Sequence, residues 1–109
     1  MSRKKLNRFE DNKNFTNIIQ EGKEFFPIIK GKWSVLFFKN NNPIVIELGC
    51  GRGEYSIALA QQNKNKNYIG IDVKGARIWN GSKFAIENKI TNVAFLRAPI
   101  WNIEDFFSE

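Results

Sequence analysis

From residue 44 onward the chain alternates between short unbroken apolar runs and longer stretches in which apolar side chains return every three or four positions. Ile44-Val45-Ile46-Glu47-Leu48 is β-branched and apolar without alternation, the pattern of a strand buried on both faces of a parallel sheet. It runs into Gly49-Cys50-Gly51-Arg52-Gly53, a turn, after which Tyr55, Ala58, Leu59 and Gln62 follow at helical spacing. The polar run 63–67 leads to a second strand, Tyr68-Ile69-Gly70-Ile71-Asp72, closing a strand–helix–strand unit whose crossover should be right-handed. Gly75 to Asn88 predicts the next helix, with Ala76, Trp79, Phe84 and Ala85 facing inward and Gly81 weakening its middle. Asn92 to Arg97 predicts a third strand, interrupted by Pro99, and Ile103 to Phe107 predicts the start of a third helix.

Upstream the pattern is looser. Residues 1–23 are polar and asparagine-rich with isolated Phe9 and Phe15, which predicts an extended arm, frayed at its start and docked by a few side chains. From Glu24 apolar residues crowd together, and Trp33, Leu36 and Phe37 recur at helical spacing up to Lys39, predicting a short helix that covers the sheet. Asn40-Asn41-Asn42-Pro43 ends it. The chain therefore divides into residues 1–42, a basic N-terminal arm and covering helix, and residues 43–109, an α/β half-domain of three parallel strands with helices. Its last strand is expected to keep an open edge, with apolar surface left exposed.

Composition narrows the class. Of 109 residues 42% are hydrophobic and 14% aromatic, enough for a packed core and too much for a disordered chain. No stretch approaches the roughly 20 apolar residues of a membrane span, and Ser2-Arg3-Lys4-Lys5 leads into no apolar signal run, so the cytoplasm is the expected compartment. One cysteine and no histidine leave no internal disulfide and no expected metal site. Without a histidine base, Cys50 reads as a small buried thiol in a tight turn rather than a nucleophile. The net charge is +6, and residues 1–32 hold eight basic against four acidic side chains, +4 of that excess. A polyanionic partner and a merely solvated terminus both account for it.

The chemistry is concentrated at the glycine turn. Glycines after a first strand remove the β-carbons that would hold a ligand off the backbone, so a nucleotide-like molecule can lie across the strand ends. A dinucleotide requires G-x-G-x-x-G with its pyrophosphate on the helix N-terminus. Here the spacing is G-x-G-x-G, through Gly49, Gly51 and Gly53, and Glu54 stands at the third dinucleotide glycine, where a carboxylate repels pyrophosphate. Glu47 adds a second acid, suited to the ammonium and sulfonium charges of S-adenosylmethionine. The methyl donor fits better than a nicotinamide dinucleotide. Asp72 follows Gly49 by 23 positions, near the interval at which a ribose-binding acid falls, and its two oxygens can accept both ribose hydroxyls. A cap on the following helix is the plainer role for Asp72, and a tight turn without ligand the plainer role for the glycines.

These residues resemble the bacterial tRNA (guanine-N7-)-methyltransferases. The resemblance rests on Glu47 to Gly53, on Lys74-Gly75-Ala76-Arg77-Ile78-Trp79-Asn80-Gly81 after the second strand, on Asn92-Val93 with Phe95-Leu96-Arg97, and on Arg8-Phe9, Gly31-Lys32-Trp33 and Pro43 to Leu48. It implies the Rossmann-like class I methyltransferase fold, S-adenosylmethionine as cofactor, and methyl transfer to N7 of a guanine in the tRNA variable loop. By position it makes Glu47 and Asp72 the first two cofactor acids and puts the third cofactor position, ordinarily Asp, on Pro99, which has neither an N–H nor a side-chain acceptor. The family's Pro-Asp-Pro-Trp-like segment has no counterpart, so the expectation is the front half of the fold, a truncated and inactive portion whose catalytic residues lie in the other half. The alternative is a non-catalytic binding or interaction module derived from such an enzyme.

Overall fold

A computed structural model of the chain describes residues 3–107. Its centre is a four-stranded sheet, parallel at each pairing, formed by β1 (Ile18–Ile19), β2 (Ile44–Leu48), β3 (Asn67–Asp72) and β4 (Val93–Arg97), in the order β1-β4-β3-β2. The expected three parallel strands are present, and β1 is a fourth. Three α-helices accompany them: α1 (Arg3–Asn14), α2 (Glu54–Gln62) and α3 (Gly75–Glu87). One face of the sheet carries Ile18, Tyr68, Val93 and Phe95 against Ile57 and Ala60 of α2 and Ile78 and Ala85 of α3. The other carries Ile69, Ile71, Ala94 and Leu96 against Ile29, Trp33, Phe38 and Phe106. No helix among the described residues is long and apolar enough to cross a membrane.

The N-terminal segment departs from the extended arm. Residues 3–14 form α1, a largely polar helix, and polar contacts of its described side chains fasten it to α3. Asn12 Nδ2 donates to the Gly75 carbonyl (2.8 Å), Trp79 Nε1 donates to Asp11 Oδ2 (2.9 Å), and the Arg8 guanidinium lies 4.5 Å from the centre of the Trp79 ring. Arg97 sits over Phe9 at 5.6 Å in the same seam. After α1 the chain enters the sheet as β1, Ile18 pairing with Phe95 and Ile19 with Leu96.

That strand relocates the open edge. The edge of β4 is occupied by β1, whereas β2 has β3 on one side and no strand on the other among the described residues. The expectation that Ile44–Leu48 is buried on both faces is thus corrected: Val45, Ile46 and Leu48 are 39%, 36% and 52% exposed. An apolar strand reads the same whether or not its second neighbour is at hand.

The helices begin and end close to expectation, but their faces turn differently. In α2 the buried positions are Ser56, Ile57 and Ala60, while Tyr55 and Ala58 face solvent. In α3 they are Gly75, Ile78, Gly81, Ser82 and Ala85; Trp79 is half-buried beneath α1, and Phe84 is exposed. Gly81 is a close approach rather than a weak point, since a β-carbon there would stand 2.5 Å from the Arg52 carbonyl and 2.8 Å from Phe95 Cζ. The covering helix is one π-helical stretch, Trp33–Phe38. In place of a third α-helix, 3₁₀ turns span Ile100–Asp105; Trp33 Nε1 donates to the Phe106 carbonyl beyond them (2.9 Å), and its ring stacks on Phe107.

Candidate functional site

In a parallel sheet all strands end on the same side, so β2, β3 and β4 deliver Glu47, Asp72 and Pro99 to one rim. The loop between β2 and α2 lies across it. Gly49 and Gly51 hold φ of 68° and 58°, left-handed values that side chains other than glycine rarely adopt, and a β-carbon on either would meet nothing within 4 Å. The need for glycine is therefore backbone conformation, and the space above both is open. Gly53 differs, because a β-carbon there would run into the Phe95 ring. Its absent side chain lets the start of α2 settle on the sheet.

Asp72 ties this loop to the next. Its Oδ2 accepts the Gly51 N–H (2.9 Å) and its Oδ1 accepts the Lys74 N–H (2.9 Å), so one carboxylate, 8% exposed as a residue, braces the turns after both β2 and β3. Each oxygen retains a further lone pair. The main chain continues the brace: Cys50 N–H donates to the Ile71 carbonyl and Ala98 N–H to the Asp72 carbonyl (3.1 Å). Pro99, extended at φ −71° and ψ 148°, is consequently held beside Asp72.

Glu47 is positioned from α2. Ser56 Oγ donates to Glu47 Oε1 at 2.5 Å, leaving Oε2 and the remaining lone pair of Oε1 for another donor. The sequence pattern did not single out Ser56. Its signal was a hydroxyl at the third helical position after a glycine loop, where a helix bears directly on the strand end it follows.

Cys50 is a free, buried thiol pressed against Gly70, whose added β-carbon would sit 2.9 Å from the sulfur. Burial foremost, then the negative charges of Asp72 and Glu47, push its pKa up to about 12. A thiol so held is a poor nucleophile, and its small volume serves the turn.

A parallel α/β sheet, a glycine-rich turn in the β2–α2–β3 crossover and acids at the ends of adjacent strands define the class of Rossmann-like folds. Comparison with known proteins narrows it. Residues 41–108 match the family model described as "Putative methyltransferase", and the chain belongs to that family. The tRNA (guanine-N(7)-)-methyltransferase of Christiangramia forsetii is 52% identical over 98% of this chain and 50% of its own length. The enzyme of the same name from Cytophaga hutchinsonii is 50% identical over 98% of this chain and 48% of its own length, and that of Bacteroides fragilis 43% identical over 100% and 45%. The chain spans about half the length of these curated relatives.

Proposed function

We propose that this chain is the cofactor-holding part of a tRNA (guanine-N7-)-methyltransferase, binding S-adenosylmethionine along the ends of β2, β3 and β4. The observation that carries the reading is the pair of held carboxylates, Glu47 on Ser56 and Asp72 on Gly51 and Lys74, flanking a loop in which the left-handed Gly49 and Gly51 face open space. These residues fit the cofactor. Glu47 suits its cationic amino-acid end, the backbone of Gly49 to Gly51 permits close approach, and Asp72 has lone pairs left for ribose hydroxyls. When bound, the cofactor supplies a methyl group on a sulfonium. Glu54, exposed at the start of α2, argues against a pyrophosphate-bearing dinucleotide on the same loop.

N7 of guanine carries no proton, so the reaction asks chiefly for alignment of base and methyl group. On this reading the described residues orient the donor, and the substrate pocket belongs to the half of the relatives that this chain does not match. The polyanionic substrate, met in the cytoplasm, suits the seam of α1 and α3. There Arg8 and Lys83 both lie on Trp79, Lys74 and Arg77 are exposed, and the nearby acids are engaged, Asp11 with Trp79 and Glu10 with Lys13.

Equilibrium dialysis with radiolabelled S-adenosylmethionine tests the proposal, using the chain, its Asp72→Ala variant and NAD as competitor. Retention by the chain that Asp72→Ala weakens and NAD does not displace supports it. Displacement by equimolar NAD, or no retention at millimolar cofactor, would overturn it.

A further inference from the structure

Beyond Pro99 the rim continues to β1, and a residue there has an unmet hydrogen-bonding need. Gln20 directly follows β1, one position past the pairing of Ile19 with Leu96, and is 8% exposed. Its side-chain Oε1 is buried without a hydrogen-bond partner. A buried amide oxygen left unpaired costs free energy, which turning the carboxamide toward a ligand recovers. Gln20 also lines a cavity of about 290 Å³ with Glu21, Val73, Arg97, Ala98 and Pro99. This cavity adjoins Asp72 directly, because Val73 is its chain neighbour and Ala98 is hydrogen-bonded to its carbonyl.

We infer that Gln20 reads the edge of the cofactor's purine base, supplying the hydrogen-bonding group that Pro99 cannot. The inference rests on the S-adenosylmethionine reading above. Asp72 pairs with Arg97 in register, and Gln20 lies at the same level one strand further on. At the usual strand spacing that is about 10 Å from β3 to β1, a span suited to a nucleoside whose ribose is at Asp72. A carboxamide presents a donor and an acceptor side by side, matching the amino group and ring nitrogen of adenine, as Gln and Asn do when they pair with that base. Val73, Ala98 and Pro99 give the cavity apolar surface for the flat faces of a base. Sequence pattern could not show this, since Gln20 is remote in the chain and is brought to the rim only by the pairing of β1.

Nitrogen-15 NMR of the whole chain, which detects millimolar binding, provides the test. The probes are S-adenosylhomocysteine and its counterpart lacking the 6-amino group. The expected result is movement of the Gln20 side-chain NH₂ signals together with the Gly51 and Ala98 amides, roughly tenfold weaker binding of the deaminated probe, and loss of that preference in Gln20→Leu. Movement at Gly51 with Gln20 unmoved, or equal affinity of the folded wild type for both probes, would overturn the role of Gln20 and leave the cofactor reading standing. No movement at any signal would overturn both. The wild-type spectra decide even where Gln20→Leu fails to fold.

Discussion

Ser56 Oγ donates a 2.5 Å hydrogen bond to Oε1 of Glu47, joining the third residue of α2 to the strand that precedes the glycine loop. Ser56 is buried, so the bond is shielded and fixes the direction of the carboxylate. Ser56→Ala is predicted to weaken S-adenosylmethionine binding about tenfold, within the range for a hydrogen bond to a charged group. Calorimetric titration beside a thermal melt separates this from a packing defect: a lower melting temperature with unchanged affinity would show that Ser56 acts only on the fold.

Asp72 braces two turns and is proposed to hold the ribose, so its loss should appear twice. Asp72→Ala is expected to weaken cofactor binding by about 1.5–3 kcal/mol and to lower stability, because the Gly51 and Lys74 N–H groups lose their acceptor. Asp72→Asn keeps one amide oxygen and should fall between. Denaturant titrations of both variants, with and without cofactor, check this, and an Asp72→Ala protein of full affinity would remove Asp72 from the site.

Gly81→Ala should destabilise the chain although alanine favours helices by about 1 kcal/mol. The added methyl meets the Arg52 carbonyl at 2.5 Å, a backbone atom that cannot swing away. Overpacking of this kind costs about 1–3 kcal/mol. Urea unfolding measures the sign, and a stabilised Gly81→Ala chain would show that α3 and the glycine loop are not in close contact.

With its pKa pushed up to about 12 by burial and by Asp72 and Glu47, the Cys50 thiol holds its proton at pH 8. Alkylation by iodoacetamide at that pH is predicted to be slow in the folded chain and to reach the ordinary rate in urea. The shift also sets a stability trend. The unfolded thiol loses its proton at lower pH than the folded one, so this group's contribution declines as pH rises from about 9 to about 12. Rapid alkylation of the native chain at pH 8 would contradict the burial of Cys50.

If RNA phosphates lie along α1 and α3, charge there should matter more than charge elsewhere. Arg77→Gln with Lys83→Gln removes two cations from that seam, whereas Lys64→Gln with Lys66→Gln removes two from the loop before β3. The first pair should make the slope of log affinity against log salt shallower by about 0.7–0.9 for each phosphate no longer neutralised, and the second should leave it unchanged. Equal effects would reduce the attraction to net charge alone.

The strand–helix–strand frame and the acids at its rim were legible in the sequence because each leaves a local signature: an unbroken apolar run, glycines at a turn, an acid closing a strand. What escaped has none. Polar α1 is held by Asn12, Asp11 and Arg8 reaching α3, partners more than sixty residues away. Two residues of β1 are too few to show a period, yet they cover the edge of β4 and bring Gln20 to the rim. Ser56 resembled any polar helical position until its hydrogen bond to Glu47 showed otherwise.

The central claim is that these residues hold the methyl donor for a tRNA methyltransferase, and a chimera tests it most directly. Residues 1–109 replace the matching half of the Christiangramia forsetii enzyme, to which they are 52% identical, and the product is assayed for transfer of a labelled methyl group to unmodified tRNA. The account predicts incorporation at N7 of guanine by the chimera, loss of it on Asp72→Ala, and none by residues 1–109 expressed alone, where the guanine has no pocket to align it. A folded chimera that binds tRNA but transfers no methyl group, or one whose activity survives Asp72→Ala undiminished, would contradict it.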